Sequence, residues 1–215
     1  MDATLRANAE SLRALVASSQ VSPVAFRAAV ERVPLGERDA WLDCVFGLDA
    51  LPDDGPELPQ GCVPYLPSSV DVLLRVVDRA RVRADDVFVD IGAGLGRAAA
   101  LVHLATGAAA RGVEVQPALV RAARALSARL NLPRLSFVEG DARARGDTWV
   151  NGSVFFLYCP FSGERLARVL TDLERVARAR PIRVCCVDVP LPPSTWLTLA
   201  SPPSRDLAIY RSARE

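Results

Sequence analysis

A chain of 215 residues is long enough for one domain with a modest appendage and can bury a core without help from disulfides or metals. Half of its residues are apolar, and its 26 basic residues, all arginine, nearly cancel its 25 acids, so no field of one sign could hold a polyanion and no constitutive nucleic-acid partner is expected. No run approaches the ~20 apolar residues of a membrane span, MDATLRANAESLRALVASS lacks the apolar stretch of a signal peptide, and five cysteines without CxxC spacing read as free thiols rather than a disulfide framework or zinc site. A cytoplasmic protein with no metal and no membrane partner is the expectation.

In chain order, Leu5, Leu12, Leu15 and Val16 recur at helical spacing, as do Phe26, Val30 and Val33 after Ser22-Pro23, a serine cap followed by a proline in the first turn. Trp41, Leu42, Val45 and Phe46 form a third short stripe that stops at Gly47. These predict small amphipathic helices packed on something larger. LPDDGPELPQG, Leu51 to Gly61, with three prolines and two glycines, reads as a loop or boundary, which divides the chain into a helical extension over 1–60 and a domain over 61–215.

From Tyr65 the pattern alternates. Helices are predicted around Ser69 to Arg79, Arg97 to Thr106, Pro117 to Leu130 and Gly163 to Ala179. Strands are predicted at Val87 to Val89, Ala110 to Val115, Leu135 to Glu139, Ser153 to Tyr158 and Arg183 to Val189. Apolar strands separated by helices imply a parallel sheet covered on both faces. Trp196 to Ala200 and Leu207 to Arg211, flanking SPPSRD, read as a final antiparallel hairpin. The expected class is α/β, a doubly wound, mostly parallel sheet of seven strands with a C-terminal hairpin and an N-terminal helical extension.

The first strand runs into VFVDIGAGLG, where Asp90 precedes Gly92, Gly94 and Gly96. In an open parallel sheet this first strand-to-helix turn is where ligands approach the backbone. A dinucleotide fold needs a small residue five positions after the first glycine; that position is Arg97, so the register fails for NAD.

The DxGxGxG loop resembles that of the Rossmann-like (class I) S-adenosylmethionine-dependent methyltransferases. The resemblance implies S-adenosyl-L-methionine as cofactor, with Asp90 and Gly92 along its methionine part. GVEVQP places Glu114, and Val115 after it, at the next strand end, where an acid accepts from both ribose hydroxyls. EGDAR places Asp141 toward the adenine amino group with Ala142 by the ring. SVFFLYCPFSG brings Tyr158 and Cys159 to the transfer site. DDVFVDIGAGLGR with GVEVQ looks like the non-SET histone-lysine methyltransferases and their bacterial relatives. On that likeness GCVPYLPSSVDVLL crosses the cofactor, with Tyr65 and Ser68 or Ser69 near its methionine end.

The chain departs from amino-directed relatives, which place Asn or Asp before proline at the fourth strand's end. Cys159 cannot supply that amide acceptor. It can be a small wall of the pocket or, without a neighbouring histidine, less readily a nucleophile. Tyr65, Tyr158 and Cys159 are the catalytic candidates. Asp90 could instead cap the next helix or turn; Glu114 and Asp141 could be ordinary strand-end acids. His103 reads as packed, Arg143 and Arg145 as a solvated loop, and Cys185-Cys186 as core. The expected activity is methyl transfer to a small-molecule or protein acceptor, with an inactive cofactor-binding regulatory module as the alternative.

Overall fold

The computed structural model describes residues 1–48, 52, 58, 62–158, 162–189, 191–200, 202 and 206–213. The boundary segment Leu51 to Gly61 lies largely outside the described residues, as do Cys159 and most of SPPSRD.

Seven strands form one sheet in the order β3-β2-β1-β4-β5-β7-β6. They are β1 (Val87–Ile91), β2 (Ala109–Glu114), β3 (Leu135–Glu139), β4 (Val154–Tyr158), β5 (Arg183–Val187), β6 (Leu197–Leu199) and β7 (Leu207–Ser212). The first five run parallel, and β7 enters antiparallel between β5 and β6, with Cys185 opposite Ile209 and Thr198 opposite Arg211. This is the doubly wound sheet with a closing hairpin that the alternation of apolar strands and helices implied. The strand order reverses between β1 and β4, which opens a crevice at their carboxyl ends.

Three helices precede the sheet: α1 (Ala3–Ala17), α2 (Pro23–Arg32) and α3 (Arg38–Phe46). Asp2 caps α1 by accepting from Leu5 N–H at 2.7 Å, and Ser22 caps α2 ahead of Pro23. Gly47, left-handed at φ 66°, stops α3. Then come α4 (Val70–Ala80), α5 (Arg97–Thr106), α6 (Pro117–Arg129) and α7 (Gly163–Ala179). One apolar core merges α1 to α6 with one face of the sheet, from Phe26, Trp41 and Phe46 to Phe88 and Phe156; α1 packs on α3, and α2 on α5. A second core lies on the other face, where Val89, Phe155, Val184 and Cys186 meet Val169, Leu173 and Trp149. Cys185 and Cys186 are both buried and point to opposite cores, as strand alternation requires.

Element bounds differ from the sequence reading by a residue or two, as at β1, which runs on to Ile91 rather than ending at Val89. Leu15 is exposed, and the buried line of α1 is Ala9, Leu12 and Val16, because a residue adjacent to Val16 lies about 100° around the helix. The fifth strand stops at Val187 rather than Val189, since Asp188 turns left-handed at φ 52°. His103 is half-buried, with Nδ1 2.6 Å from the Ala108 carbonyl, and burial lowers its pKa; it is a packed residue. No helix among the described residues is long and apolar enough to cross a membrane.

Candidate functional site

The glycine loop is built to hold its shape against β2. Gly92 and Ala93 N–H groups both donate to the Val113 carbonyl, at 2.9 and 3.0 Å, which folds the loop over the end of the second strand. Gly94 N–H donates to Glu114 Oε2 and Gln116 N–H to Glu114 Oε1, each at 2.9 Å. The Glu114 carboxylate is thereby oriented by backbone donors, one on each oxygen.

Gly94 and Gly96 shape the site rather than line it. Both have positive φ, 52° and 76°, which side chains tolerate poorly. A Cβ on Gly94 would stand 2.1 Å from Cε2 of Tyr65, and one on Gly96 would stand 2.4 Å from Cζ of Phe137. The first glycine admits the Tyr65 ring over the loop; the second lets α5 start hard against β3.

Above the loop lies a cavity of about 440 Å³, of the size that takes a small-molecule ligand. Its walls are the carboxyl ends of β1 to β4, and its roof is the crossing segment 62–68. Asp90, Gly92, Glu114, Val115, Asp141, Ala142, Tyr65 and Tyr158 all face it. Ser69 does not: its hydroxyl accepts from Val72 N–H at 3.3 Å as the cap of α4, and the neighbouring Ser68 lines the cavity instead. The first residue of α5 follows a Gly96 cap, so Asp90 is not the cap of that helix.

The acids at the two ends of this cavity are in opposite electrostatic states. Asp90 is 3% exposed, and its carboxylate has no hydrogen bond or cationic partner among the described residues. Burial, reinforced by the Glu114 charge, pushes its pKa well above the usual carboxylate range. Asp141 is the reverse. Burial alone would raise it, but the Arg143 side chain and N–H, together with Arg165 Nη1 at 2.6 Å, hold it down at about 2. Arg143 is an exposed loop residue tied to Asp141 at 2.8 Å, whereas Arg165, from the first turn of α7, is buried and faces the cavity. Burial also pushes up the Tyr65 phenol and the Cys62 thiol, although Arg97 and Arg165 respectively pull the other way.

No family profile matches the chain, and no curated protein matches it in sequence. Solved structures do. The chain is similar to a putative methyltransferase, yhhF, from Escherichia coli, at 19% identity and a TM-score of 0.55 over 73% of this chain and 90% of that one. It is similar to a precorrin-6y C5,15-methyltransferase from Geobacter metallireducens GS-15, at 14% and 0.52 over 72% and 93%. A third likeness is to MtNAS in complex with MTA and tNA, at 18% and 0.51 over 66% and 59%.

The fold is that of Rossmann-like methyltransferases. In that fold the cavity occupies the expected crevice, and the acids that close β1, β2 and β3 converge on it. Two arginines on its wall escaped the sequence reading. Arg165 sits in an amphipathic helix studded with arginines and gives no signal of being turned inward; Arg97 was noticed only as a residue too large for a dinucleotide loop.

Proposed function

We propose that this chain is an S-adenosylmethionine-dependent methyltransferase acting in the cytoplasm on a small-molecule or protein acceptor. The observation that carries the reading is Asp90: a buried carboxylate without a cation among the described residues, aimed into a ligand-sized cavity beside a positive-φ glycine loop. Such a group is costly in an empty pocket and is offset by a ligand that brings positive charge. The donor set fits S-adenosyl-L-methionine. Asp90 and Gly92 would take the cationic amino-acid part, Glu114 the ribose hydroxyls, and Val115, Ala142 and Asp141 the adenine. The finer likeness to the non-SET histone-lysine group rests on the wording of the loop and of GVEVQ, and it suggests the cofactor rather than the acceptor.

When bound, this cofactor supplies an electrophilic methyl on an excellent leaving group, so the chain's share of the work is alignment and exclusion of water. Tyr65 closes the loop side and Tyr158 stands at the end of β4, both on the cavity wall, where they can position an acceptor. The Tyr65 phenol, raised by burial, stays protonated near neutral pH and acts as a hydrogen-bond donor rather than a base.

Titration with S-adenosylhomocysteine by calorimetry should saturate at micromolar to sub-millimolar concentration, with no heat from NAD. NAD binding in its place overturns the assignment. Incubation with methyl-labelled cofactor and small-molecule and protein fractions should label an acceptor; cofactor binding without any labelled product would instead mark a regulatory module.

A further inference from the structure

Arg97 is the first residue of α5, and only 4% of its side chain is exposed. All of its guanidinium nitrogens are engaged. Nε donates to Asp43 Oδ1 at 2.6 Å, Nη2 donates to Asp39 Oδ1 at 2.8 Å, and Nη1 donates to the main-chain oxygen of Ser68. Asp39 Oδ1 also accepts from Val70 N–H at 2.9 Å, so the same carboxylate fixes the start of α4. The far end of α3 is held as well: Arg129 donates to the Phe46 and Gly47 carbonyls, and Arg13 to that of Cys44. Helix α3 is thus a bar pinned at both ends.

One guanidinium therefore joins three separate pieces of chain at the cavity wall: the glycine loop, the roof segment 62–68 and the N-terminal helices. The roof itself is only partly packed. Val63 and Leu66 are exposed at 45% and 64%, and the Tyr65 ring reaches the loop only because Gly94 leaves room for it. A guanidinium buried this deeply needs partners for its N–H donors on every side. Here two carboxylates and a roof carbonyl complete a fork that sets the distance between roof and loop.

We propose that Arg97 is a positioning residue for the cofactor: with Asp39 and Asp43 it holds the roof over the glycine loop, which makes the N-terminal helices part of the cofactor site. The inference rests on the proposed S-adenosylmethionine reading. Releasing the clamp frees the roof to lift, so it acts on escape of the ligand more than on entry.

Stopped-flow binding of S-adenosylhomocysteine to the full chain tests this, with wild type, Arg97→Lys, Asp43→Asn and the double variant. Lysine keeps the charge but cannot span three partners. The dissociation rate should rise by about thirtyfold in Arg97→Lys and about fivefold in Asp43→Asn, with association within about threefold of wild type. The double variant should be no worse than Arg97→Lys, because both changes open the same clamp. Wild-type binding with dissociation within twofold in folded variants overturns the inference; failure of the wild type to bind overturns the functional reading beneath it. Should Arg97→Lys not fold, Asp39→Asn and Asp43→Asn decide by the same rates, since both carboxylates lie on the exposed side of the clamp.

Discussion

The two ends of the cavity use the same residue type for opposite purposes. At the β1 end Asp90 is buried and has no cation among the described residues; at the β3 end Asp141 has two arginines and is partly exposed to water. The first carboxylate is held in an unfavourable state that a positively charged ligand relieves, while the second already has its charge balanced and offers shape and polarity instead. An aspartate at a strand end is therefore not one kind of site. What surrounds it decides whether it calls for a positive charge or already has one.

Asp90→Asn should break this contrast most severely. Cofactor affinity should fall by about a hundredfold, roughly 2.7 kcal/mol, in a calorimetric titration. The fold should not weaken, and above the ordinary carboxylate range it should gain stability. The sign follows from the raised pKa: the folded protein disfavours ionised Asp90, so wild-type stability falls as pH climbs from the ordinary carboxylate value through the raised one, and the asparagine removes that fall. Ligand affinity should run the other way, rising with pH as Asp90 ionises, with proton release on binding below the raised pKa. Calorimetry in buffers of different ionisation enthalpy reads that proton directly. A flat pH profile would mean that Asp90 does not meet the cation.

Asp141→Asn should have a smaller and differently shaped effect. Affinity should drop by about tenfold or less, through the adenine end. Because the Asp141 pKa is depressed, its contribution to stability is present above about pH 4 and is lost as pH falls toward 2. Partial exposure screens this, so thermal melts at pH 5 and pH 2 should differ between wild type and variant by on the order of 1 kcal/mol. The smallest effect belongs to Arg143→Ala. Its guanidinium is exposed and Arg165 remains on Asp141, so affinity should move by less than about threefold. A larger loss would show that the loop charge takes part in recognition.

The parts of the fold that were legible in the sequence are those where neighbouring residues carry the signal. Residues 97 to 106 and 163 to 179 show their helices through periodicity bounded by glycine or proline, and 135 to 139 shows its strand through apolar content and flanking turns. Strand-end acids were legible for a related reason: a parallel sheet collects its chemistry at carboxyl ends, so a motif and a strand suffice to place Asp90, Glu114 and Asp141 around one space. Ser69 shows the limit of that reasoning. Serine before an apolar helical run is a cap, and local geometry took its hydroxyl in preference to the cavity. The clamp was beyond reach because its members have no local pattern: Asp43 and Arg97 are 54 positions apart, and an arginine after a glycine loop looks like any exposed charge until α3 packs against it. Arg165 was hidden likewise among the outward-facing arginines of α7, most of which are solvated.

The shared core of α1 to α6 also has a consequence for how the chain acquires its structure. Helix α2 leaves the ribosome some seventy residues before α5, the element it packs against, which at about 5–20 residues per second is a wait of several seconds. Through that interval Phe26, Trp41 and Phe46 have no sheet to cover them. Native burial of the early helices therefore depends on contacts distant in sequence, so this polypeptide should fold late and as a whole, with its opening segment relying on chaperones until β1 and α5 emerge.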